Sequence, residues 1–184
     1  MTVRFVITGE MNRNRLLQVI VAAYSLYVAL LWLTNALLYF SKMSLTYGSV
    51  VSYYLGSEQQ FTEPRSYLGM LEVAHFHFFA MGMLLLVLTH LVLFVPLGNR
   101  AKMWLIVGPF ASALLDEGSG WLVRFVSPLF ALAKIAGFLS LQASLAALVV
   151  LSLWSVFSGT SDNYRSGEGD FEDEDDDLIE EAED

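Results

Sequence analysis

All three histidines of the chain, His75, His77 and His90, fall in one apolar stretch, residues 68–97 (LGMLEVAHFHFFAMGMLLLVLTHLVLFVPL), together with Glu72. The stretch is about as long as a membrane-crossing helix requires. Ionisable groups are costly inside a bilayer, so they face a protein interior and mark ion, proton or cofactor sites. Imidazole can ligate a metal or haem iron or carry a proton, and a nearby carboxylate can orient it. These four residues are the first candidates for chemistry.

Helical spacing separates them. At about 100° per residue, Glu72, His75 and His90 share a stripe with Phe79 and Met83, whereas His77 points elsewhere. His75 and His90 lie about 22 Å apart along the axis, roughly four turns. This arrangement resembles membrane b-type cytochromes, which stack two haems within one bundle. The resemblance covers this helix alone. It implies haem b as the cofactor, with His75, His90 and Met83 as the cofactor-binding residues. Two bis-histidine haems need four histidines and the chain has three, so methionine, a subunit interface or a free axial position would complete the set.

Other chemistries fit the same residues. Glu72-x-x-His75 has the i, i+3 spacing of carboxylate metal centres in helical bundles. With His77, Asp116 and Glu117 it forms a candidate metal set, although such centres use two motifs of this kind and the chain holds one. A proton or quinol site would use Glu72 and His75 as a relay, with Phe76, Phe78 and Phe79 as the wall against a ring. A cofactor-free arrangement would pair Glu72 with Lys134 across the bundle and leave the histidines hydrogen-bonded. No Gly-rich phosphate loop, nucleophile elbow or zinc-protease motif is present, so soluble-type catalysis has no support. At most the chain is a redox subunit without independent catalysis.

The elements that must position these residues are four apolar spans at 16–40, 68–97, 103–123 and 128–157. In the third only 13 residues pass before Asp116, about 20 Å against a hydrocarbon core of about 30 Å. It either continues through DEGSG to Val123 or turns there. Pro128 suits the first turn of a helix, which favours continuation, with a bend at Gly108-Pro109. The expected fold is all-α, a polytopic four-transmembrane-helix bundle. Threaded alternately, it puts Asn35, Glu72, His75, His77, Asp116, Glu117 and Lys134 in one half of the membrane as a polar layer.

Composition agrees with that class: 55% of the 184 residues are hydrophobic and the mean hydropathy is +0.54. The absence of cysteine excludes disulfides, Cys-ligated metals and c-type haem attachment. The net charge of −9 is mostly a tail effect, since twelve of 19 acidic residues lie in 168–184. Residues 158–184 read as a disordered acidic tail. Arg4, Arg13, Arg15, Arg100 and Lys102 against Lys42, Arg65 and Arg124 put both termini, including residues 1–15, in the cytoplasm of an inner-membrane protein. Residues 41–67 then form a long extracytoplasmic loop, with Tyr53-Tyr54 at the interface. The first apolar run is too long for a signal-peptide core and reads as a retained span. The expected partners are the lipid bilayer and other membrane or extracytoplasmic subunits, with a homo-oligomer as an option and no nucleic acid. The leading functional expectation is a subunit of a respiratory or electron-transfer assembly. A structural or assembly subunit and a proton- or ion-conducting subunit are the alternatives.

Overall fold

The computed structural model describes residues 15–95 and 97–157, and it is helical throughout apart from short connections. The helices are α1 (Arg15–Lys42), α2 (Tyr47–Leu55), α3 (Tyr67–Val92), α4 (Asn99–Phe125) and α5 (Ala131–Phe157). Single 3₁₀ turns at Glu58–Gln60 and Pro128–Phe130 complete the order. The N-terminal segment before Arg15 and the acidic tail lie outside the described residues.

Among the described residues three segments are long and apolar enough to cross a membrane: Arg15–Lys42, Tyr67–Val92 and Pro128–Phe157. α4 is as long, at 27 residues, but carries Arg100, Lys102, Asp116, Glu117 and Arg124. DEGSG lies inside α4, and Pro109 sits buried within it. The ends are secured by side chains that satisfy orphan backbone groups. Ser66 Oγ accepts from the Gly69 N–H at 3.1 Å at the start of α3, and Lys102 Nζ donates to the Leu93 carbonyl at its end.

α5 is the hub: α4 packs along it most extensively, α1 lies on another side, and α3 leans on both α4 and α5. Small residues set the α4–α5 approach, as expected where lipid offers no hydrophobic drive for helices to associate. A Cβ at Gly137 would stand 2.7 Å from the Asp116 backbone nitrogen, so only glycine permits this crossing. One turn on, Ser140 Oγ donates to Ser112 Oγ at 2.8 Å. Two clusters fill the interior. Near the chain ends Val28, Leu85, Leu88, Leu141, Leu145 and Leu148 pack together. Near the loop the cluster is Tyr39, Met43, Val50, Tyr54, Val123 and Phe138.

α3 corrects one expectation. Its buried stripe is Ala74, Met81, Leu85, Leu88 and Val92, with Thr89, while Glu72, His75, Phe79, Met83 and His90 are exposed on the opposite face. These five residues therefore face away from the bundle interior that a polar stripe in a bilayer is expected to line. Both faces of α3 are rich in apolar side chains, so hydropathy does not select the inner one. Shape does, and Ala74, Met81 and the two leucines fit against α4 and α5.

Candidate functional site

The loop-side half of the molecule holds a half-open cavity of about 450 Å³ reached by every helix. α4 and α5 build its floor. The Lys134 ammonium sits 2.7 Å from Asp116 Oδ1 and donates to the Asp116 carbonyl oxygen at 2.9 Å. Both residues are buried. The close crossing at Gly137, one turn beyond Lys134, lets the lysine reach both the carboxylate and the main chain of its partner. Ser119 Oγ donates to the same carbonyl at 3.0 Å. Asp116 Oδ1 is held by charge without an aligned hydrogen bond.

Aromatic side chains form the walls. The Tyr39 and Phe138 rings stack at 3.7 Å between centroids with 12° between planes. Tyr54 enters from α2 against Gly120, where a Cβ would lie 2.6 Å from the Tyr54 hydroxyl. Burial, together with the negative charge of Asp116, pushes the Tyr54 phenol well above its ordinary range, so it remains protonated. Among the described residues three buried polar atoms at the cavity have no hydrogen-bond partner: Asp116 Oδ1, which the Lys134 ammonium holds by charge, and Tyr39 Oη and His77 Nε2, which nothing holds. Buried polar groups are rarely left unpaired.

Residues 63–66 form the rim. The Arg65 N–H donates to the Tyr54 carbonyl at 3.0 Å, and Arg124 Nε donates to the Arg65 carbonyl at 2.9 Å. The Arg65 guanidinium covers the Tyr53 ring at 4.1 Å. A second cavity, of about 720 Å³, shares Lys42, Tyr53, Glu63 and Arg65 with the first, so both approach from the loop side.

The structure therefore brings together Asn35, His77, Asp116, Glu117 and Lys134, and separates them from Glu72, His75, Met83 and His90. Glu72 does not reach Lys134, whose carboxylate partner is Asp116. The candidate metal set is divided in the same way, and among the described residues no three His, Cys, Asp or Glu side chains converge to hold a metal. His75 and His90 are exposed on the outside of α3, and His90 Nδ1 is bonded to the Leu86 carbonyl of its own helix at 2.8 Å. Sequence reasoning missed Tyr39, Tyr54, Arg65, Gly120 and Gly137. The glycines were the available signal, because glycine inside a helix costs stability and implies close packing.

Residues 44–163 match the model of the Aq_1264_TM family, described as a transmembrane helical domain. No curated protein and no solved structure matches the chain.

Proposed function

We propose that this chain, which belongs to the Aq_1264_TM family of transmembrane helical domains, is a four-crossing subunit of a membrane electron-transfer assembly whose loop-side cavity receives the ring of a quinol. α4 serves as the fourth crossing because its most deeply placed carboxylate, Asp116, turns inward onto Lys134. The positive residues flanking the spans favour cytoplasmic termini in an inner membrane.

The observation that carries the quinol reading is the pair of unpartnered buried atoms, Tyr39 Oη and His77 Nε2, at a cavity walled by stacked aromatic rings. A quinol presents two oxygen functions across a flat ring. Imidazole nitrogen and phenol can bond to such oxygens, and the Asp116–Lys134 pair stabilises charge nearby. His77 Nε2 is the group placed to accept a hydrogen bond from a quinol hydroxyl. Conduction across the whole bilayer is the weaker reading, because the half beneath the cavity is filled by the Leu85–Leu88–Leu141–Leu145–Leu148 cluster. Haem b on His75 or His90 would need ligands from a second chain, since both imidazoles stand on the outer face of α3.

The test is binding of a short-chain quinone analogue to the full chain in lipid nanodiscs, read by quenching of intrinsic fluorescence. Saturable binding should weaken at least tenfold in His77→Ala and stay unchanged in His75→Ala. Equal, non-saturable partitioning in all three proteins would overturn the proposal and leave a cofactor-free structural subunit.

A further inference from the structure

The outer face of α3 presents a carboxylate and an imidazole to a surface that should be lipid. α3 is about 39 Å long, against a hydrocarbon core of about 30 Å. With the helix centred, Glu72 and His75 fall inside the hydrocarbon, and both are exposed. Groups of this kind at membrane depth seek a protein partner.

The residues around them form a regular seam. Glu72, Phe79, Leu86 and Leu93 recur every seven positions, with His75 and Gly82 offset by three. This is the 3.5-residue repeat of a left-handed helix pair. At about 100° per residue the six residues fall within an arc of about 80°, turned away from the centre of the stripe that packs on α4 and α5; Thr89, the next offset position, is buried and ends the offset series. Phe79 is 74% exposed and Leu86 47%. A Cβ at Gly82 would meet nothing within 4 Å, so the seam has a small residue at its centre with open space before it.

We propose that this seam is the interface with a second copy of the same chain, α3 against α3 across a two-fold axis along the membrane normal. Self-complementarity selects this occupant. Two copies with the same orientation bring equal depths together, and Glu72 and His75 differ by only about 4.5 Å in height. Each Glu72 carboxylate then faces the partner's His75 imidazole, twice over by symmetry, as an isologous contact requires. A different subunit would have to supply a matching base and acid at that same depth. This chain already carries both. Gly82 lets the two helices approach closely at the midpoint, as small residues do between membrane helices.

The absence of cysteine makes the test direct. In the full chain in native membranes, Phe79→Cys and Leu86→Cys should each give, under mild oxidation, a cross-linked product of twice the 20.5 kDa chain mass. Trp104→Cys on α4 and Val150→Cys on α5, also exposed, should remain monomeric. Gly82→Leu, whose Cβ meets nothing within 4 Å in one chain, should convert dimer to monomer in native mass spectrometry with helix content unchanged. Cross-linking at the seam no stronger than at Trp104→Cys, a product with a different protein, or a Gly82→Leu dimer would each overturn the proposal.

Discussion

At the scale of single residues, the Asp116–Lys134 pair is the position where a change should cost most. Removing one member of a buried ion pair leaves an uncompensated charge and costs about 3–5 kcal/mol. Asp116→Leu should be the milder single change, because Lys134 Nζ retains the Asp116 main-chain carbonyl as acceptor. Lys134→Met should be the harsher, since it leaves the carboxylate alone. The double variant should recover much of the loss, and unfolding of all four proteins in detergent, analysed as a double-mutant cycle, measures the coupling. Additive losses would mean that the two side chains act separately. The sequence marks both residues as members of a polar layer, and only its cofactor-free alternative gives Lys134 a partner, Glu72 instead of Asp116. Charge type and depth were readable, and partner choice was not, because it depends on the crossing angle that Gly137 permits.

At the scale of elements, α4 and α5 are held in register by atoms that leave no room for a side chain. Gly137→Val should separate them, since the Cβ alone would come within 2.7 Å of the Asp116 backbone. Overpacking of this kind costs about 1–3 kcal/mol and here would also break the ion pair. Gly118→Ala is the control: its Cβ would meet nothing within 4 Å, and alanine is the better helix former by about 1 kcal/mol. The expectation is a lowered melting temperature for the first variant and an equal or raised one for the second. Element type was legible in this chain because long apolar runs admit little besides helix. The face each helix turns inward was not. On α3 the apolar residues surround the helix, so periodicity ordered Glu72, His75 and Phe79 relative to one another without saying what lay behind them. The loop between α1 and α3 was legible as long, but its helix α2 and the descent of Tyr54 onto Gly120 required tertiary contacts to define them.

At the scale of the whole molecule, the number of crossings rests on α4. Single cysteines at Ser57, Gly98 and Val126 report it, Val126 being 67% exposed. If α4 crosses, a membrane-impermeant reagent should label Ser57→Cys and Val126→Cys from one side and Gly98→Cys from the other. Labelling of Gly98→Cys and Val126→Cys from the same side would reduce the crossings to three and remove Asp116 from the membrane.

The apolar cluster beneath the cavity also has an electrical meaning. A membrane potential drops mainly across the layer that excludes water and ions, here the packed leucines between α3 and α5. The cavity opens towards the loop, so Asp116, Lys134 and His77 sit close to the potential of that compartment. A full elementary charge crossing the membrane changes energy by about 2.3 kcal/mol per 100 mV, but a proton or anion entering this cavity traverses only a minor share of that field. Energising the membrane should therefore leave occupancy of the site nearly unchanged, and the compartment on the loop side alone should govern it.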